Sequence, residues 1–180
     1  MKGLFILADG FEDTEALTTR DVLLRAGFDI VTCSIKDETS VTTSFGIDLF
    51  SDISCNNVNP TDYDFIVLPG GGGGVRKLYS SNFVKDTLVY FENKYMFAIC
   101  AAPAVLGKYG YLNNKNFTCF PGFEEGINGH YNDKDGVVVD GNIITARSMF
   151  YSIEFGLAIT KLLLGEAKAE EVERNLKGLN

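Results

Sequence analysis

The hydrophobic positions of this chain form short continuous runs that alternate with stretches of helical spacing. The run KGLFILA at residues 2–8 is typical of a strand in a parallel sheet that is covered on both faces. The stretches FDIVTCSI, FIVL and YMFAI have the same character. The pattern therefore predicts a buried strand at each of these positions.

Amphipathic stretches separate these runs. Residues 12–27 begin with acidic residues, continue with apolar residues at roughly helical spacing and end at Gly27, which predicts a helix closed by a left-handed cap. Further helices are predicted in SSNFVKDTLVYFENK, SIEFGLAITKLLLG and AEEVERNLKG. Weaker alternation at residues 41–53, interrupted by Gly46, predicts a small hairpin or excursion, and VVVDGNIIT predicts two short strands around a turn.

The order of these elements predicts the class of fold. Strand and helix alternate at least three times, which is typical of an α/β fold with a mostly parallel sheet and helices on both faces. The 180 residues, 46% of them hydrophobic, match the size of one ordinary domain. We therefore expect a single domain over residues 1–180, with its functional site at the carboxyl ends of the strands.

Charge and cysteine usage narrow the classes of function. The chain has 16 basic and 24 acidic residues and a net charge of -8, with the basic residues scattered, so a nucleic acid would be repelled. The apolar run near the amino terminus is too short for a signal peptide core, and no segment approaches the roughly 18 apolar residues of a membrane helix. The four cysteines form no CxxC pair that would indicate zinc or a dithiol site. We expect a cytoplasmic protein with no metal, no nucleic acid partner and no membrane association.

Cys100 lies where the predicted strand YMFAI ends and a helical pattern with an early proline, Pro103, begins. A strand-to-helix turn with small flanking residues, here Ala98 and Ala102, is typical of a nucleophile elbow. The start of a helix favours a thiolate, because backbone N–H groups and the helix dipole stabilise negative charge. The alternative is a small hydrophobic residue that only fills space. The position of Cys100 at a strand end and its small flanking residues favour a reactive cysteine with a lowered pKa. We expect Cys100 to be the fastest of the four thiols to alkylate.

The glycine run PGGGGG, residues 69–74, follows another predicted strand. It is not a phosphate loop, because no Gly-Lys-Ser/Thr follows, and Val75 stands where the dinucleotide pattern needs its last glycine. The N–H groups of such a turn, including that of Gly70, can point at a developing oxyanion. The alternative is a flexible turn without a site. No cofactor is indicated.

Glu12 and Glu15 lie three residues apart at the start of the first predicted helix. Most acidic residues in this position only complement the helix dipole. If the first strand and the YMFAI strand are neighbours in the sheet, however, Glu15 would point at Cys100. A protonated carboxyl in that place hydrogen-bonds a thiolate or transfers a proton.

His130 is the only histidine and lies in the glycine-rich stretch INGHYND. A dyad of Cys100 and His130 is one hypothesis. No spacing rule brings the two residues together, so the sequence favours a solvated loop histidine.

The segments ADGFEDTEA, VLPGGGGG and AICAAPAVLG together resemble the ThiJ/PfpI family of the class I glutamine amidotransferase-like superfamily, and within it the deglycase branch. The resemblance extends over nearly the whole chain, including SIEFGLAI near the carboxyl end. It implies a flavodoxin-like three-layer sandwich, a homodimer and an oxidisable nucleophilic cysteine. By the same resemblance Cys100 is that cysteine, Glu15 is the family's glutamate, and Gly71 and Ala101 supply the N–H groups of an oxyanion pocket.

Three positions depart from the family's pattern. Ala101 stands where the peptidase-like branch has a histidine, which disfavours proteolysis. Phe120, before Pro121, stands where the deglycase branch has its site histidine. After Arg147, residues 148–150 are Ser-Met-Phe in place of Gly-Pro-Gly, which predicts a bulkier and more apolar edge of the pocket.

The resemblance implies two functions of different kinds. In the first, the Cys100 thiolate adds to the aldehyde carbon of a small dicarbonyl, as in a glutathione-independent glyoxalase or a deglycase, and Glu15 moves the proton. In the second, peroxide oxidises Cys100 to a sulfinate, and the protein acts as an oxidative-stress sensor or redox-regulated chaperone. The absent site histidine favours the sensor, since a sensor needs no base. The enzyme is nevertheless our leading hypothesis.

Overall fold

The computed structural model describes residues 1–179 of the chain. The strands of this part are β1 (Lys2–Leu7), β2 (Asp29–Ser34), β3 (Ser40–Thr42), β4 (Asp48–Phe50), β5 (Ile53–Ser54), β6 (Phe65–Leu68), β7 (Tyr95–Ile99), β8 (Asn116–Phe117), β9 (His130–Tyr131), β10 (Val137–Asp140) and β11 (Ile143–Ala146). Its α-helices are α1 (Asp13–Arg25), α2 (Gly72–Ser80), α3 (Asn82–Val89), α4 (Pro103–Lys108), α5 (Ser152–Leu164) and α6 (Glu166–Leu176). No helix within residues 1–179 combines the length and the apolar character that crossing a membrane requires.

A seven-stranded sheet forms the centre of the molecule, with the strand order β10-β11-β7-β6-β1-β2-β5. All pairings in this sheet are parallel except that of β10 with β11 at one edge. Successive residues of a strand point to opposite faces, so Leu4 and Ile6 join one hydrophobic cluster and Phe5 joins the other. Helices α2, α3 and α4 pack on the first face, and α1, α5 and α6 pack on the second. The predicted three-layer α/β sandwich is confirmed.

Residues 41–53 form the excursion that their weak alternation predicts. Strands β3 and β4 pair in an antiparallel hairpin outside the main sheet. The chain then returns, and β5 pairs with β2 at the edge of the main sheet. The hairpin was predicted and the return to the sheet was not, because β5 has only two residues.

Helix α2 begins inside the glycine run, where the sequence predicts only a turn. The Gly74 N–H donates to the Gly10 carbonyl at 2.9 Å, and a β-carbon on Gly74 would lie 2.8 Å from the Phe11 nitrogen. Packing of α2 against the loop after β1 thus requires residues without side chains. This packing outweighs the low helix propensity of glycine, which costs about 1 kcal/mol per residue. The prediction of a turn over residues 72–74 is therefore wrong.

Three adjacent strands deliver the candidate site residues to one edge of the sheet. β6 lies between β1 and β7, so the first strand and the YMFAI strand are not neighbours, contrary to the condition under which Glu15 was expected to approach Cys100. The carboxyl ends of these three parallel strands lead to α1, to the glycine run and to Cys100 respectively. Whether residues that follow β1 and β7 can meet therefore depends on the space above the carboxyl end of β6.

Candidate active site

Cys100 occupies a sharp turn between β7 and α4. Its φ of 63° lies in the left-handed region, a strained conformation for a residue with a side chain that costs about 1–3 kcal/mol. Two hydrogen bonds hold this backbone: the Cys100 N–H donates to the Ala146 carbonyl and the Phe120 N–H donates to the Cys100 carbonyl, both at 2.8 Å. The turn has the strained strand-to-helix geometry of the predicted elbow.

Two backbone N–H groups and one carboxyl surround the Cys100 sulfur. The N–H groups of Gly71 and Ala101 interact with it and lower its pKa, and the Glu15 side chain interacts with it and raises that pKa. Gly71 has a φ of 87°, a conformation that only glycine adopts readily. The structure thus gathers at one sulfur the four residues that the resemblance assigns to the site.

Glu15 reaches Cys100 across the end of β6, and Gly70 makes this meeting sterically feasible. A β-carbon on Gly70 would lie 2.4 Å from Glu15 Oε2 and 2.6 Å from Cys100 Cβ. The Gly70 N–H donates to Glu15 Oε2 at 2.9 Å. In this structure the hydrogen bond to Glu15 occupies the Gly70 N–H, which the sequence predicts as an oxyanion donor.

Glu15 is a buried acid, with 1% of its surface exposed. Burial raises the pKa of its carboxyl to about 7, and the charge of Glu12 adds to this rise, whereas hydrogen bonds with Cys100 and Gly70 oppose it. Glu12 caps the start of helix α1, where its Oε2 accepts the Glu15 N–H at 2.6 Å. Near neutral pH Glu15 is therefore present in both protonated and ionised forms, as a group that accepts and returns a proton must be.

The Cys100 thiol does not have the lowered pKa that its position predicts. Burial, together with the charge and the hydrogen bond of Glu15, raises this pKa to about 12, against the opposing effect of the Gly71 and Ala101 N–H groups. Helix α4, whose dipole was expected to lower this pKa, begins only at Pro103 and has six residues. A thiolate forms most readily when the proton passes to Glu15, since this transfer removes the repulsion of the carboxylate.

Cys100 opens into a cavity of about 400 Å³. The lining consists of two acids, the thiol, one hydroxyl and four large apolar side chains: Glu12, Glu15, Phe45, Cys100, Phe120, Ser148, Met149 and Phe150. The bulky apolar edge expected from residues 148–150 is present. Phe45 was missed, because it comes from the turn between β3 and β4, which only the fold brings to Cys100. Ser44 holds that turn by donating from Oγ to the Gly10 carbonyl at 2.7 Å.

His130 lies away from this cavity. It belongs to β9, which pairs with β8 in a separate two-stranded sheet, and its N–H donates to the Lys115 carbonyl at 2.8 Å. Its side chain is exposed and does not line the Cys100 cavity. The structure therefore gives no support to a dyad of Cys100 and His130.

A known protein family and several known proteins resemble this chain over most of its length. A family model described as the DJ-1/PfpI family matches residues 1–162. The protein DJ-1beta of Drosophila melanogaster is 36% identical over 177 residues, which are 96% of this chain and 95% of that protein. The Parkinson disease protein 7 homolog of Danio rerio is 32% identical over 181 residues, covering 97% and 96% of the two chains.

Comparisons with solved structures give the same result for the fold. The crystal structure of Drosophila melanogaster DJ-1beta has a TM-score of 0.92 at 37% identity and covers 97% of this chain and 96% of its own. A structure of Toxoplasma gondii DJ-1 described as oxidized has a TM-score of 0.90 at 28% identity and covers 97% of both chains.

Proposed function

The chain belongs to the DJ-1/PfpI family, and we propose that it is a cysteine-dependent enzyme that converts small α-oxoaldehydes such as methylglyoxal to 2-hydroxy acids without glutathione. One observation carries the proposal: a single sulfur contacts two backbone N–H groups and a carboxyl whose pKa is about 7, at the base of an open cavity. This set combines a nucleophile, donors for an oxyanion and a proton carrier.

The first step forms the bond between sulfur and carbon. The Cys100 thiol gives its proton to Glu15, and the thiolate adds to the aldehyde carbon of the substrate. The electron pair of the C=O bond moves to oxygen, which the Gly71 and Ala101 N–H groups stabilise. Return of the proton from Glu15 gives a neutral hemithioacetal and restores the Glu15 carboxylate. A deglycase reaction would begin with an addition of the same kind.

The second step exchanges the oxidation levels of two adjacent carbons. Glu15 removes the hydrogen on the former aldehyde carbon as a proton, and an enediolate forms in which the hydroxyl proton of that carbon has passed to the neighbouring ketone oxygen. Glu15 then returns its proton to the neighbouring carbon. The product is a thioester of a 2-hydroxy acid, which water cleaves to release the acid and the Cys100 thiol. One carbon is oxidised and the other is reduced, so the reaction needs no external oxidant. Phe120 supplies no base, and Glu15 therefore carries every proton transfer at carbon.

Oxidation of Cys100 is a second candidate function, favoured by the same donors around the sulfur. The thiolate would take one oxygen from each of two peroxide molecules, releasing two molecules of water and leaving a sulfinate anion. The Gly71 and Ala101 N–H groups and a protonated Glu15 would stabilise that anion. The oxidized DJ-1 of Toxoplasma gondii shares the fold at a TM-score of 0.90, which is consistent with this role.

One experiment separates the two candidates. Wild type and Cys100→Ser are each given methylglyoxal in one reaction and peroxide in another, followed by a lactate assay and intact-protein mass. The enzyme predicts lactate from wild type and none above background from Cys100→Ser. The absence of lactate, together with a gain of two oxygen atoms on Cys100 at modest peroxide, would assign the site to redox sensing instead.

We further propose that the protein is a homodimer in the reducing cytoplasm, where its four cysteines, all unpaired, remain thiols. Two exposed apolar side chains, Leu17 on α1 and Phe50 on β4, line one groove together with Arg20 and Asp52. An exposed apolar face bordered by charges is typical of an interface. Sedimentation equilibrium should give a dimer that Phe50→Asp converts to a monomer; a monomeric wild type would contradict this.

A further inference from the structure

The entrance to the Cys100 cavity is formed by large apolar side chains. Phe45, Phe120, Met149 and Phe150 stand around it, with exposed fractions of 78%, 45%, 49% and 82%. We call these four residues the apolar collar. Side chains of this size are normally covered, and here they leave apolar area open to solvent beside a nucleophile.

Phe45 and Phe150 belong to segments whose backbone is held in place. The turn that carries Phe45 is fixed by the Ser44 N–H, which donates to the Phe11 carbonyl at 2.7 Å. Phe150 lies in a 3₁₀ turn ahead of α5, and its ring packs edge-on against Tyr151 with centroids 5.2 Å apart. The backbone that carries the two rings is therefore held in place, and binding between the rings costs little ordering of that backbone.

The cavity offers no positive charge. Glu12 and Glu15 are the charged residues of its lining, all of which belongs to the described part of the chain. The Arg147 side chain points elsewhere, since its Nη2 donates to the Asn132 carbonyl at 3.4 Å. A substrate with a carboxylate or phosphate would meet two acids and no cation, which disfavours binding by charge repulsion.

We propose that the preferred substrates of this site are uncharged α-oxoaldehydes with an aryl or bulky alkyl substituent, held with the aldehyde at Cys100 and the substituent against the apolar collar. This inference rests on the proposed function and names its substrate class. The chemistry is unchanged: phenylglyoxal and water give mandelate and a proton, the aldehyde carbon being oxidised and the ketone carbon reduced. Burial of an aromatic substituent against aromatic rings supplies the selectivity.

The test compares phenylglyoxal with methylglyoxal by initial rates of mandelate and lactate formation. The double variant Phe45→Ala, Phe150→Ala should lower the ratio of kcat/KM for phenylglyoxal to kcat/KM for methylglyoxal by about tenfold, because the two rings contact the aryl substituent. Because the phenylglyoxal-to-methylglyoxal ratio of the variant is compared with that of wild type, the difference in intrinsic reactivity between the two aldehydes cancels. Tyr90→Ala, which removes an exposed aromatic ring ahead of β7 at the opposite end of the sheet, is the matched control and should not change the ratio. An unchanged ratio in the double variant would overturn the inference.

A second measurement tests the apolar selectivity of the cavity without requiring enzymatic turnover. Iodoacetanilide and iodoacetamide carry the same reactive carbon and differ by a phenyl ring, and iodoacetate adds a negative charge. Relative to their rates with free glutathione, Cys100 should label about tenfold faster with iodoacetanilide than with iodoacetamide, and more slowly with iodoacetate. The double variant should lose the preference. If wild type turns over neither aldehyde but shows this preference, the proposed function fails and the apolar selectivity stands; equal labelling by all three reagents refutes the selectivity.

Discussion

The Gly70 N–H donates a 2.9 Å hydrogen bond to Oε2 of Glu15, at a position above β6 where a β-carbon would collide with both Glu15 and Cys100. Gly70 therefore has two roles. Its N–H orients the carboxyl, and its missing side chain leaves the gap through which residues from β1 and β7 meet. The approach of Glu15 to Cys100 therefore depends on this glycine.

Gly70→Ala should damage the site. The added methyl group would lie 2.4 Å from Glu15 Oε2 and 2.6 Å from Cys100 Cβ, and such overpacking costs about 1–3 kcal/mol. We expect a lower free energy of unfolding in urea and a loss of most aldehyde turnover.

Gly72→Ala is the matched control for that substitution. A β-carbon on Gly72 would have Arg76 Nη1, at 3.8 Å, as its nearest neighbour, and its φ is not positive. The variant should be as stable as wild type or slightly more stable, because alanine is the better helix former. Equal effects of Gly70→Ala and Gly72→Ala would contradict the steric role given to Gly70.

The raised pKa of Glu15 should make stability depend on pH. Its carboxyl titrates at 4.5 in the unfolded chain and at about 7 in the folded protein. Between these values the unfolded chain releases a proton that the folded protein keeps, so the free energy of unfolding falls as pH rises, by on the order of 3 kcal/mol. Glu15→Gln removes this dependence and should gain stability relative to wild type from pH 4.5 to pH 8. Urea titrations of both proteins across that range would measure it, and parallel curves would show that Glu15 keeps an ordinary pKa.

Neutralising Glu15 should lower the pKa of Cys100. The charge and the hydrogen bond of Glu15 both raise that pKa, whereas the Gly71 and Ala101 N–H groups remain in Glu15→Gln. The rate of iodoacetamide labelling, followed against pH by peptide mass, should therefore rise at lower pH in the variant than in wild type. Labelling of Cys55 in the same samples is the control. An upward shift would mean that a protonated Glu15 is the main support of the thiolate.

His130→Ala should have no effect on turnover. The side chain is exposed on β9 and does not line the cavity. By contrast, Glu15→Gln should lower kcat by roughly 100 to 10,000-fold, the usual range for loss of a general acid or base. Lactate formation from methylglyoxal measures both variants. A collapse of activity in His130→Ala would place this histidine in the reaction.

The sheet was predictable because its signal is local. Continuous apolar runs such as that of β1 identify strands buried on both faces, and their alternation with helices restricts the topology to a mostly parallel sheet. Helix α2 was not predictable, because its glycines are explained by contact with Gly10 and Phe11, more than sixty positions away in the chain. Local propensity gives no information about such a contact.

The proximity of Cys100 and Glu15 was predicted from the sequence, whereas the electrostatics of their surroundings was not. Cys100 and Glu15 follow strand ends, where sites of this fold form. The pKa of Cys100 depends on burial and on the distance to Glu15, which the position in the sequence does not contain. Phe45 was missed for the same reason, since its place beside Cys100 depends on how the β3–β4 hairpin packs on the loop after β1.

The claim that the Cys100 thiol converts an α-oxoaldehyde is tested most directly by the rate of lactate formation from methylglyoxal in the absence of glutathione. Wild type should form lactate steadily over many turnovers, and Cys100→Ser, which keeps the fold and exchanges one sulfur for oxygen, should form none above the protein-free rate. Lactate formation at equal rates by wild type and Cys100→Ser, or none by wild type, would contradict the claim.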